Sequence, residues 1–171
     1  MDKLKNQRGL AALEIILATA IIAILATVTV PKMARVLDKI SLNYEMKRLY
    51  STLHFTRSVD KLTKYNVSIF TNVFDTGAGR VRLHIQKTNY LIKHENNSLT
   101  DFIDKHFWAS GFQFSYPAAL KIIAFDSQGK GLNANNGAAD GTITLTSRFG
   151  DKAYITVNSV GRIRGSYEKP K

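Results

Sequence analysis

The residue best placed to do chemistry is a single carboxylate. From Leu10 to Val30 run twenty-one residues, LAALEIILATAIIAILATVTV, in which Glu14 is the one ionisable side chain. A carboxylate inside an apolar span costs on the order of 2.5–3.5 kcal/mol on insertion scales, so it requires a partner or a function. The span holds no Lys or Arg. Cleavage between Gly9 and Leu10 would supply the missing cation as a new α-amino group, four residues before Glu14 and at the same depth. A second charged group of residues lies at the far end. Residues 148–171 hold Arg148, Lys152, Arg162, Arg164, Lys169 and Lys171 against Asp151 and Glu168. In a strand, Arg162 and Arg164 project to one face, where they could contact successive phosphates through charge-assisted hydrogen bonds. Arg162, Arg164, Lys169 and Lys171 are therefore candidate DNA-binding residues. The competing reading pairs the arginines with acidic residues of a neighbouring subunit, or uses them to keep an edge strand soluble.

Other chemistry is not supported. His54, His84, His94 and His106 are scattered, without a His-Glu-x-x-His helix or metal-ligand spacing, and each reads as surface or core filler. The Gly129-Lys130-Gly131 stretch lacks the Gly-Lys-Ser/Thr continuation and the following helix of a nucleotide loop. Asp126 and Asp140 are two carboxylates where calcium needs six to eight oxygens. With no cysteine, disulfides, thiolate metal sites and cysteine nucleophiles are excluded together. The chain reads as non-enzymatic, with neither metal nor cofactor. Its formal charge of +11 is spread along the sequence, because residues 1–9 hold only Lys3, Lys5 and Arg8 against Asp2. Such an excess suits nucleic acid, an acidic membrane face or acidic neighbouring subunits, and equally plain solubility.

The elements that must position these residues follow from the periodicity. As a helix at about 1.5 Å per residue, Leu10 to Val30 reaches roughly 30 Å, the thickness of a bilayer's hydrocarbon core. A secretory signal peptide would have a shorter apolar region and no carboxylate near its start. Beyond Pro31 the pattern stays helical, since Leu42, Met46, Leu49 and Leu53 recur at steps of four, three and four. Pro31 cannot donate its backbone hydrogen bond and is expected to bend the helix, with the Thr27 hydroxyl helping to satisfy the freed carbonyl. After the helix the period changes. Val67–Val73, Arg80–Gln86, Phe112–Tyr116, Lys121–Asp126, Thr142–Thr146, Ala153–Val157 and the residues around Ile163 read as strands of an antiparallel β domain. Turns at Gly150-Asp151 and at Asn158–Gly161 make the C-terminus a meander. The stretch from Asp126 to Gly141, DSQGKGLNANNGAADG, reads as a mobile, exposed loop.

The run Arg8-Gly9-Leu10-Ala11-Ala12-Leu13-Glu14-Ile15-Ile16-Leu17, followed by Ala20–Ala26 and Pro31, resembles the class III signal of type IV prepilins and type II secretion pseudopilins. The resemblance implies an α+β fold, with a long N-terminal helix packed on an antiparallel β domain. It implies a prepilin leader over residues 1–9, a transmembrane half of the helix over 10–30, an amphipathic half over 31–60 and an extracytoplasmic domain over 61–171. A prepilin peptidase would cut after Gly9 and N-methylate Leu10, Glu14 would direct subunit assembly, and Pro31 would kink the helix. The implied partners are that peptidase, other pilins or pseudopilins, an inner-membrane assembly platform and membrane lipid. The implied location is the inner membrane, crossed once, and then a pilus or pseudopilus. Positive residues flank both ends of the span almost equally, so the resemblance, not the charge, sets the orientation. Thr56-Arg57-Ser58, Ile123–Gly129, Gly141–Leu145, Ile155–Val157 and Gly161-Arg162-Ile163-Arg164 further resemble the pseudopilin H and FimT-type group. Its FimT-type members are linked to DNA uptake during natural transformation, which is the alternative function this resemblance implies.

Overall fold

A computed structural model describes the chain over residues 2–62, 81–94 and 102–170. It falls into two compact units, residues 1–38 and 39–171. One helix, α1 (Asp2–Leu62), supplies all the described structure of the first unit and continues into the second. Among the described residues it is the one helix long and apolar enough to cross a membrane; its most apolar window has a mean hydropathy of 2.4 and is wholly exposed. Pro31 lies inside the helix, which is helical on both sides of it. The Thr27 hydroxyl does not serve the carbonyl that Pro31 leaves without an amide. It donates to the Ile24 carbonyl at 2.7 Å, because a threonine in a helix reaches back three or four residues and not to its own C=O. Thr19 and Thr29 do the same, to Ile16 and Leu25, so the hydroxyls of the apolar run are satisfied inside the helix.

In the second unit the expected stripe forms one wall of the core. Leu42, Met46, Leu49 and Leu53 are all buried, with Leu49 and Leu53 fully so. Against them lie two antiparallel sheets. The first has the order β3-β2-β1-β5-β6, built from β1 (Val81–Ile85), β2 (Asn89–His94), β3 (Phe102–Phe107), β5 (Ile122–Phe125) and β6 (Gly131–Leu132). The second has the order β4-β7-β8-β9, from β4 (Gln113–Ser115), β7 (Gly141–Thr146), β8 (Lys152–Val157) and β9 (Ile163–Ser166). Strict alternation directs Ile143 and Leu145 of β7, and Ala153, Ile155 and Val157 of β8, into the same core as the helix stripe. Trp108 closes one end of it, stacked on Phe114 at 3.8 Å and donating its indole N–H to the Gln86 carbonyl at 3.0 Å.

Two expectations are corrected. Strands β2 and β3 were not expected, because Lys93, His94, Asp104, Lys105 and His106 interrupt the apolar alternation; β2 nevertheless pairs with β1, and β3 with β2. The stretch from Asp126 to Gly141 is not a free loop. It contains β6, which pairs with β5, and a bridge from Leu132 to Ala138. Ala139 within it is fully buried. Its asparagines organise it, since the Asn133 Oδ1 accepts the amides of Asn135 and Gly137, both at 2.9 Å. The strand expected over Val67–Val73 lies outside the described residues. The C-terminal meander forms as read, β7-β8-β9 in consecutive register.

Candidate functional site

Glu14 sits on an exposed stretch of α1, with Leu13, Ile16 and Leu17 65%, 68% and 59% exposed around it. Among the described residues its carboxylate has no ion-pair or hydrogen-bond partner. Were this stretch surrounded by an apolar medium, the carboxylate would need a cationic partner there. Gly9 and Leu10 lie in the same helix, four or five residues earlier.

The C-terminal arginines are presented by a tight hairpin between β8 and β9. The Asn158 amide donates to the Arg162 carbonyl at 3.1 Å, and the Asn158 Oδ1 accepts the Arg162 amide at 2.8 Å. Gly161 makes the turn possible at φ 77°. Ile163 is buried between Arg162, which directly precedes β9, and Arg164, within it, and both arginines are exposed. Arg164 stands opposite Thr156, which is itself opposite Thr142, giving a polar outer row on this sheet. Lys169 is exposed beyond the end of β9, and Lys171 lies outside the described residues. The hairpin tip is not isolated. The Gly131 amide donates to the Ser159 carbonyl at 3.2 Å, and the Arg57 Nε of α1 donates to the Gly129 carbonyl, also at 3.2 Å.

Two further carboxylates, both on the buried side of α1, escaped the sequence reading. Glu45 is 3% exposed; it accepts from the His106 Nε2 at 2.8 Å and from the Ala109 amide at 3.1 Å. Asp60 is 2% exposed and accepts the amides of Val81 and Phe125, each at 2.8 Å. Their partners lie 21 to 65 residues away in sequence, so no local spacing announces them. Buried and hydrogen-bonded, they tie the helix to the first sheet. Burial and the nearby Arg57 push the His54 imidazole below its ordinary range, and burial with Lys93 and Arg82 does the same to His84. Among the described residues no group of three or more His, Cys, Asp or Glu could hold a metal ion.

No protein-family model matches the chain, and no curated protein matches it in sequence. Solved structures do share its fold. A crystal structure of the type IV minor pilin FimU from Pseudomonas aeruginosa PAO1 superposes with a TM-score of 0.51 at 13% identity, covering 74% of this chain and 89% of that one. FimU in a second crystal form gives a TM-score of 0.46 at 12% identity, over 73% and 92% of the two chains. The fold defined by the long apolar helix and the antiparallel sheets is thus α+β and type IV pilin-like.

Proposed function

We propose that the chain is a minor pilin or pseudopilin, a non-enzymatic subunit of a type IV pilus or of a type II secretion pseudopilus. The observation that carries this reading is Glu14, a lone carboxylate in an apolar run of twenty-one residues on a pilin-like fold. Residues 1–9 are a leader cut after Gly9 by a prepilin peptidase, and Leu10 becomes the N-methylated first residue. Residues 10–30 cross the inner membrane, residues 31–60 are the amphipathic half with Pro31 as its soft point, and residues 61–171 form the extracytoplasmic domain. On extraction by the assembly platform, Glu14 pairs with the terminal amine of an adjacent subunit and sets its register. Within the pilin-like proteins, the pseudopilin H and FimT-type group is the best placement. Co-expression with a prepilin peptidase tests the reading: N-terminal mass analysis should find Leu10 first and methylated, and Gly9→Val should block both. An intact N-terminus beside an active peptidase would refute it.

A second reading is favoured by a specific observation: Arg162, just before the edge strand β9, and Arg164, within it, flank a buried isoleucine and are both exposed. In this reading the subunit also binds double-stranded DNA in DNA uptake. Arg162→Ala with Arg164→Ala should weaken duplex binding on all sequences alike, because phosphate contacts carry no base information. Unchanged binding would refute it.

A further inference from the structure

The carbonyl of Gly129 is a meeting point of three separate segments. It accepts the Arg57 Nε from the penultimate turn of α1. A Cβ placed on Gly161 would fall 1.6 Å from that same oxygen, so the hairpin tip touches this turn as closely as a backbone without side chains allows. A Cβ placed on Gly129 would fall 2.8 Å from the Lys61 Cε and 2.9 Å from the Arg57 Nε. Lys130 follows directly, its amide held by the Asp126 Oδ1 at 2.7 Å. Four cationic side chains, Arg57, Lys61, Lys130 and Arg162, are thereby gathered around one backbone contact, with Arg164 one strand step beyond. Lys61, Lys130, Arg162 and Arg164 are exposed and Arg57 is half-buried.

The nearby carboxylates are engaged by backbone amides. Asp60 is buried, with both oxygens on the Val81 and Phe125 amides. The Asp126 Oδ1 is held by the amides of Gln128 and Lys130. Like charges brought this close cost stability in the free protein. An array of cations from three segments joined at one backbone contact suits a ligand that is itself an array of anions, and duplex DNA presents one phosphate charge per about 1.7 Å of helix axis.

We infer that the phosphate-binding surface proposed for Arg162 and Arg164 continues over Lys130 to Lys61 and Arg57, so that a DNA duplex is gripped by the end of α1, the 126–130 turn and the β8–β9 hairpin together. The inference rests on the second reading above and adds residues that lie more than thirty positions before Arg162. Arg57 has a positioning share in it: its Nε holds the turn through Gly129.

The test uses the full chain in neutral detergent micelles and a fluorescent DNA duplex, with affinity followed by anisotropy across a salt series. Each lost phosphate contact lowers the slope of log K against log salt by about 0.9. Lys61→Ala with Lys130→Ala should therefore lower it by about 1.8, as should Arg162→Ala with Arg164→Ala. Lys121→Ala with Lys152→Ala removes the same charge at the opposite ends of β5 and β8 and should leave the slope unchanged. Gly161→Ala keeps every cation but forces the tip off Gly129; with Trp108 fluorescence still native, it should also weaken binding. If the Lys61/Lys130 pair binds as wild type while the Arg162/Arg164 pair weakens, the inference is overturned and the second reading stands. If all three double variants lose equally, binding follows net charge alone and both are overturned. If the unaltered chain binds no duplex, the second reading falls and the inference with it.

Discussion

Replacing Asp60 by alanine is the sharpest test of how the domain is held to its helix. Continuing the β1–β5 register from Leu83 opposite Ile123 brings Val81 opposite Phe125, and the Asp60 carboxylate bonds both of their amides at 2.8 Å. It therefore closes the end of this ladder from the helix side. Alanine would leave two buried N–H groups without acceptors, at about 1–3 kcal/mol each, or about 2–6 kcal/mol together. For a domain whose whole stability is about 5–15 kcal/mol, that is a large fraction. At a urea dependence of about 2 kcal/mol per molar, the midpoint should fall by about 1–3 M. Asparagine keeps one acceptor oxygen and should cost about half as much. Trp108, the single tryptophan and 8% exposed, gives the signal by its fluorescence change on unfolding. A midpoint within about 0.3 M of the unaltered chain would refute the argument that these two bonds are needed.

Three other perturbations have definite expected outcomes. Glu45→Leu should cost about 3–5 kcal/mol in the same urea assay, because it strands His106 and the Ala109 amide; in a His106→Phe background the cost should shrink by at least about 1 kcal/mol, the coupling a double-mutant cycle reads. Gly161→Ala should cost about 2 kcal/mol or more, from the left-handed backbone plus a Cβ against the Gly129 oxygen, whereas Gly150→Ala, at φ 85° with nothing within 4 Å, should cost only about 1 kcal/mol. Stability should fall on acidification partly through His84. Burial and the charges of Lys93 and Arg82 lower its folded pKa from the ordinary 6.5, so below that value the unfolded chain takes up a proton that the folded one resists. Its contribution is complete above about pH 6.5 and is lost as the pH drops through the folded pKa; His84→Gln should flatten that part of the stability curve, measured by urea midpoints across a pH series.

The sequence made the helix stripe and the C-terminal meander readable for one physical reason: their partners are near in sequence or their period is regular. Leu42, Met46, Leu49 and Leu53 repeat as a buried helix face must, and β7 and β8 alternate cleanly because one side is core. Strands β2 and β3 failed the same test. Their outer and edge positions carry Lys93, Asp104 and Lys105, and a bulge between Ile92 and Lys93 breaks the alternation itself. The Asp126–Gly141 stretch misled in the opposite direction, since asparagine and glycine mark chain reversals without saying whether the reversals are held. Here Asn133 holds them.

The same distinction between local and distant partners decides what could be read of the candidate surface. Arg162 and Arg164 stand two apart around Ile163, so the alternation expected of a strand already suggests one face for them, although β9 itself begins at Ile163. Arg57 is 72 residues from the carbonyl it bonds, and in the helix pattern it is simply a polar position beside a core stripe. What brings it to the tail's arginines is a contact between Gly129 and Gly161, two glycines that composition assigns to loops. A Cβ at Gly161 would collide with the Gly129 carbonyl, and one at Gly129 with the ends of the Lys61 and Arg57 side chains, so the absence of a Cβ is what lets the three cationic segments come together. Charge can be counted along a sequence, but its concentration depends on backbone contacts of this kind. An alanine at Gly161 should therefore disperse the positive surface without changing the net charge by a single unit.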